Sequence, residues 1–407
     1  MVLPGSDLVH RSLRLPVHGH IRSRAAAGCC VAAVGMLLTA CQSDTTFRTV
    51  DLRPPERITA EIPETHLLDV GIALFDPNAP DDYDAARQSV VNPEVRRAES
   101  YYMPYLLKSV VESTGNWGAV RVVPGPTHSV DLLVTGTIVV SQGERLVLDI
   151  QARDARGVLW LDDTYAALAS KYAYGKSMPS LADPFQHVYT QIADDLAARF
   201  IELTGTERRN IRRTAEMRFA REMLPAAYED YVQYADGGRA EITRLPATDD
   251  PMMDRIRQVR QREFLFIDTL DGHYADYQRR VRPLYQTWRQ SAYRESMARL
   301  ELRDKRRRQI VVGTISLVAG IAGGPATFTA IPTGAEMLRD SFSQQNEVEM
   351  HSEALREVSS AMESEVMPYT LELENKTVEL TGTVTQQFDK LKTILRDSYL
   401  EGLGLGQ

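Results

Sequence analysis

Apolar and polar positions alternate residue by residue between 132 and 152, and after 183 apolar positions recur mostly at three and four residues. In Leu132-Val134-Gly136-Ile138-Val140 one face is apolar, and Leu146-Leu148-Ile150-Ala152 alternates against Arg145, Asp149 and Arg153. A period of two with one polar face predicts half-buried antiparallel strands. Gln142-Gly143 and Arg156-Gly157 stand where hairpin turns belong. A third strand is predicted from Val158 to about Ala167, with Trp160 on one face and Leu159 and Leu161 on the other. Upstream, Leu67 to Phe75 is a short apolar run ended by Asp76-Pro77-Asn78, and Val120 to Val123 is closed by Pro124-Gly125-Pro126. Both read as short strands followed by turns. Between them, Asn92-Pro93-Glu94 supplies a cap, a proline at the first helical position and an early acid. This helix should run to about Thr114 and stop at Gly115, with Pro104 kinking or splitting it. Asp183-Pro184 opens a second helix whose Phe185, Val188, Ile192, Leu196 and Phe200 make one apolar stripe, expected to close over the sheet.

Beyond Thr206 the pattern is helical and arginine-rich. Thr206 to Leu224 and Pro225 to Ala235 read as two helices, ended by Asp236-Gly237-Gly238. Asp250-Pro251 starts the longest helix, where Ile267, Leu270, Tyr274, Tyr277, Val281, Leu284 and Trp288 form a seam spaced alternately three and four apart. Gly272 and Pro283 read as lying in that seam, so a kink is expected. The seam serves either an intramolecular helical hairpin or self-association. Residues 309–335 carry no charge, follow the basic run Arg303-Asp304-Lys305-Arg306-Arg307-Arg308, and are broken by Gly323-Gly324-Pro325. The apolar arm before that break is shorter than the about 20 residues a membrane span needs. Two readings stand: a buried hairpin with close backbone approach, or a membrane- or oligomer-contacting loop in which Gly313, Ser316 and Gly320 pack helix on helix. Glu336 to Met367 reads as helix, with Val348, Leu355, Met362 and Tyr369 seven apart; after Pro368 a last helix is expected to carry Leu373, Leu380, Val384, Phe388, Leu391 and Leu395 to Gly402. The fold class expected is therefore α+β: a small mixed or antiparallel sheet with covering helices over 67–203, then a long mainly helical arm comprising 204–308, an apolar glycine-rich tip over 309–335 and helices over 336–407.

Compartment enters through the first 41 residues. Arg22 and Arg24 precede the apolar run Ala25 to Leu38, and small residues follow, which is the order of a secretory signal. Leu38-Thr39-Ala40-Cys41 then resembles the lipobox of bacterial lipoproteins. That resemblance implies cleavage after Ala40 and lipidation of Cys41; Gln42 to about His66, polar and with Pro54, Pro55 and Pro63, reads as an extended, flexible tether. Gln42, where an inner-membrane retention signal would place Asp, implies by the same resemblance the periplasmic face of the outer membrane. Cys29 and Cys30 lie within the signal, so after processing no thiol remains for a disulfide, zinc site or nucleophile. Residues 1–40 hold four Arg and one Asp, and their removal moves the formal charge from −8 to −11, which argues against nucleic acid as a partner. In element order, and in Val130-Asp131-Leu132-Leu133-Val134-Thr135-Gly136-Thr137, residues 67–203 are similar to the small periplasmic domains of the curli-secretion lipoprotein family and of the TolB amino-terminal domain. That likeness implies a non-enzymatic envelope domain and transfers no functional residue.

No phosphate loop, nucleophile elbow, dinucleotide fingerprint or zinc-protease helix occurs. His66, His128, His187, His273 and His351 have no ligand spacing, and neither metal nor cofactor is expected. Asp162-Asp163 beside Trp160 reads as a solvated strand end, and Glu99 with Tyr101 and Tyr102 as helix surface. The function expected is a lipid-anchored scaffold or docking factor of envelope, surface-polymer or secretion-system assembly, with protein partners and no catalytic residue. The alternative is an oligomeric channel or secretion component whose 309–335 segment enters a membrane.

Overall fold

The computed structural model describes residues 53–80, 91–170, 172–174, 183–321, 350–357, 360, 369–372 and 377–402, with side chains of the longest helix described as far as residue 301. These residues form an α+β fold. Five strands, β1 (Val70–Ala73), β2 (Val120–Val123), β3 (Leu132–Ser141), β4 (Arg145–Asp154) and β5 (Leu159–Leu168), lie in the order β2-β1-β3-β4-β5. β1 runs parallel to both neighbours, and β3, β4 and β5 form an antiparallel meander. Central β1 is wholly buried, whereas β3 alternates. The polar positions Thr135, Gln151 and Asp162 sit side by side on the outer face, as do Thr137, Asp149 and Thr164. Trp160 and Leu161 are both buried and Leu159 is exposed, so the alternation expected for this strand fails. The reason is a register shift: Ala152 faces Leu161 while Arg153 faces Leu159, and the extra residue turns Trp160 inward.

Helix α1 (Pro93–Ser113) begins as its residues dictate, with the Asn92 side chain accepting from the amides of Glu94 and Val95 at 3.0 and 3.1 Å. It ends before Gly115, whose φ of 67° costs glycine little. Pro104 does not split it. Lacking an N–H, Pro104 leaves the Ser100 carbonyl without its helical donor, and the Phe75 amide takes that place at 3.1 Å, tying α1 to the end of β1. Helix α2 (Gln186–Glu202) buries Val188, Ile192, Leu196 and Phe200 as the stripe requires. Helix α3 (Gly205–Met223) starts earlier than predicted because Thr204 and Glu207 form a capping box.

Three segments differ from the expected helices. Pro225 to Ala235 is helical only as far as Tyr231, as an α-turn over Pro225–Tyr228 and a 3-10 turn over Glu229–Tyr231; Val232–Tyr234 is strand β6, paired with β7 (Ala240–Ile242) across Asp236-Gly237-Gly238. Glycines expected only to end a helix also turn a hairpin. In the carboxy-terminal part, Tyr369 and Leu380 lie not on helices but on β8 (Tyr369–Glu372) and β9 (Thr377–Leu380), which pair antiparallel. The seven-residue spacing of Tyr369 from Met362 masked a period of two in Tyr369/Leu371 and Val378/Leu380. The segment expected as a tether is in part held down: Glu56 N donates to Asp194 at 2.8 Å, Ile58 N donates to Asn116 at 2.8 Å, and Ile58 and Ile62 pack on the core.

The longest helix, α4 (Pro251–Ile321), is unbroken. Ile267, Leu270, Tyr274, Tyr277, Val281 and Trp288 are buried as the seam predicts. Gly272 and Pro283 are exposed and lie outside the seam, where Tyr285 rather than Leu284 takes the buried position. The seam is covered by the chain's own α1, β2, α3 and α5 (Val384–Gly402), in one continuous apolar core with the sheet. Helix α5 runs antiparallel to α4: Arg255 donates to the Gly402 carbonyl at 2.8 Å, and further along Phe266 stacks on Phe388 at 6.2 Å.

Candidate functional site

Helix α4 is fastened to the sheet and its helices by a series of polar and charged contacts. At its first turns, Glu263 is fully buried and accepts from the hydroxyls of Ser129 at 2.5 Å and Thr127 at 2.8 Å. Burial pushes its carboxyl up, against the pull of those two hydrogen bonds. One turn earlier Arg260 donates from Nε to the Ser129 carbonyl at 3.0 Å and faces Asp131 at 3.8 Å. Mid-helix, Arg121 pairs with Asp268 at 2.6 Å, Lys108 with Asp271 at 3.1 Å, and the Tyr277 hydroxyl donates to the Ala98 carbonyl at 3.1 Å.

Further along, a buried group of polar and charged residues ties α4 to the sheet domain. Arg289, with no exposed surface, donates from Nη1 to both oxygens of Asp183 at 2.9 and 3.0 Å. Its guanidinium lies over the rings of Tyr285 at 4.2 Å and Phe185 at 4.7 Å. The Tyr285 hydroxyl donates to Glu99 at 2.5 Å, Ser141 donates to the same carboxylate oxygen, and Arg96 lies 3.9 Å from the other. Glu99 is therefore not helix surface as its sequence neighbourhood suggests: it is wholly buried, and burial pushes its carboxyl up while Arg96 pulls it down. Glu99 falls on the same face of α1 as Tyr102 and Met103, which the sequence could have shown; what it could not show was that Tyr285 and Ser141 meet there. Asp183, expected as a helix start, does accept from the Phe185 amide at 2.8 Å, but its carboxylate also holds Arg289. Two charged groups so placed fix one register of α4, because sliding by a residue would leave each of them buried and unpaired.

Asp131 shows how titration should act on this seam. It is 2 % exposed, accepts from the Asp69 amide at 2.9 Å, and burial raises its pKa from 3.8 to about 6 despite Arg260. The native state therefore binds this proton more tightly than the unfolded chain. The contribution to stability is full below about pH 4 and is lost as pH rises through about 6. Asp131→Asn, which keeps the acceptor for Asp69, is expected to remove one proton's worth of that slope; urea unfolding at pH 4 and 7 measures it, and an unchanged slope would refute the assignment.

Asp162 and Asp163 are exposed on edge strand β5. Asp162 accepts from Gln151 at 3.3 Å and lines an open hollow of about 470 Å³ on the polar sheet face with Asp76 and Asp149. Among the described residues no group of three His, Cys, Asp or Glu could hold a metal ion, and no helix is long and apolar enough to cross a membrane. Leu38, Thr39, Ala40 and Cys41 lie outside the described residues. Gly313, Ser316 and Gly320 lie on the helical backbone of α4, and their surroundings fall outside the description. Comparison with known families, curated proteins and solved structures gives no match.

Proposed function

We propose that the chain is a lipid-anchored envelope protein that works as a non-enzymatic scaffold, with the sheet domain as docking module and α4 as a rigid extension. The observation that carries this reading is the fastening of α4. From Tyr293, whose ring meets Tyr174 at 5.0 Å, the helix continues to Ile321, about 40 Å further at 1.5 Å per residue. The chain is back beside the sheet domain by 350–357, where Leu355 is fully buried and Arg356 feels the charge of Glu94. An extension held by buried ion pairs at its base transmits position to a partner, which a flexible linker does not. Cys41, as the lipidated first residue of the processed chain, supplies attachment to the outer membrane; several acyl chains make such attachment stable. The partner class is envelope protein.

The test separates anchor from extension. Cys41→Ser is expected to move the protein from the membrane pellet to the soluble fraction, leaving thermal melting unchanged. A further deletion of 309–335 in that variant then reads the segment itself by liposome flotation. Loss of flotation on deletion favours the channel reading. Failure of both forms to float supports the scaffold, and Cys41→Ser remaining fully in the pellet with 309–335 removed would sink the anchor assignment.

A further inference from the structure

We infer that the cavity between the β2–β3 loop, the β4–β5 turn, α3, the β6–β7 turn and α5 binds a phosphoryl group through Arg153 and Arg218. The cavity is about 440 Å³, within the range of small-molecule sites, and is lined by residues that the chain brings from five separate segments. Its walls include His128, Arg153, Arg218 and Lys392, with Gly237 and Gly238 leaving one side free of side chains.

The charges around it do not cancel. Asp154, the carboxylate in the lining, is already used: it accepts from the Arg156 guanidinium at 2.7 Å, the Arg156 amide at 2.8 Å and the Trp160 indole at 3.0 Å. Lys392 is paired with Glu222 at 2.6 Å, and the same carboxylate meets His128 Nδ1 at 2.9 Å. Glu222 is itself partly buried, and these bonds hold it down to about 2 against that burial, so it stays charged for both partners. Arg153 and Arg218 remain. Arg153 Nε donates to the neutral Gln151 side chain at 3.0 Å. Arg218 Nη1 donates to the Ala155 carbonyl at 2.8 Å, and its Nε is buried with no partner. The remaining contacts are also uncharged, Arg153 Nη1 with the Gly157 carbonyl at 3.5 Å and Arg218 with the Tyr234 ring at 5.9 Å, so neither guanidinium has a carboxylate partner among the described residues. Two guanidinium forks on one cavity balance the charge of a phosphoryl dianion, and each planar fork can donate two parallel hydrogen bonds to a pair of its oxygens. The volume left beside such a group accommodates a polar moiety of a few heavy atoms. This inference is independent of the scaffold reading, since it needs neither the anchor nor the extension.

The test is titration calorimetry of the full-length protein in mild detergent with inorganic phosphate, glycerol 3-phosphate, and mixed micelles containing phosphatidylglycerol or phosphatidylcholine. Saturable binding of one or more of the phosphate probes is expected. Preference for glycerol 3-phosphate marks a soluble ligand, and preference for phosphatidylglycerol micelles marks a lipid headgroup. Arg153 is exposed, so Arg153→Gln should fold normally and bind about tenfold more weakly, the loss of one charge-assisted contact. Arg218→Lys keeps the charge and removes the fork, and should weaken binding likewise. Arg97→Gln, on the surface of α1, should change nothing. Absence of saturable binding by every phosphate probe, or equal binding by wild type and the folded Arg153→Gln variant, would overturn the assignment.

Discussion

Arg289→Met is expected to destabilise the protein by about 3–5 kcal/mol, because it leaves the Asp183 carboxylate buried without its cation. Methionine keeps much of the volume between Tyr285 and Phe185, so the loss reports charge rather than packing. Asp183→Asn should cost less, since the amide still accepts from the Phe185 amide. The double variant should be more stable than the sum of the two single losses, as removing both charges leaves no orphan. Denaturant unfolding of the four proteins measures the coupling. Strict additivity would mean that the pair does not hold α4 in place.

The second large effect is predicted at a turn. Gly143 lies against the backbone of α4: a Cβ there would fall 2.7 Å from Tyr293 Cα and closer still to the Tyr293 nitrogen and the Arg289 carbonyl. Backbone cannot move aside as a side-chain end can, so Gly143→Ala must lift the β3–β4 turn from the helix. The expected cost is on the order of 3 kcal/mol, the upper end of overpacking. It should come with weakened contact of Tyr174, whose hydroxyl donates to the Gly143 carbonyl at 2.5 Å. Thermal melting and tyrosine fluorescence would follow both changes. A variant that melts with the wild type would show that the turn can retreat without disturbing α4. The glycine is thus required for the approach of a helix far along the chain, although its position in a hairpin already accounts for it from sequence alone.

These two sites show where the sequence was readable. The strands of the meander, the capped start of α1, the stripe of α2 and the buried seam of α4 follow from periodicity, because a residue's neighbours along one element decide which face is apolar. The same rule misread β8 and β9, whose period of two was hidden behind an apparent heptad. It also missed β6 and β7, which are short enough for turn glycines to be mistaken for helix ends.

What the sequence by itself determined is the α+β class, the strands of the main sheet, the helices α1 and α2 and the buried seam of α4, and the residue pattern from which the anchor at Cys41 is proposed. Only the tertiary structure decided that Glu99, Ser141, Asp183, Tyr285 and Arg289 form one buried group, and that Arg153 and Arg218 face one cavity. The physical reason is one of range. Amphipathicity and capping are set by residues within one or two turns of each other, whereas a buried charge needs a counter-charge or hydrogen-bond donors that the fold can bring from any distance along the chain. Here Asp183 and Arg289 are 106 positions apart, and Glu99 and Tyr285 are separated by 186.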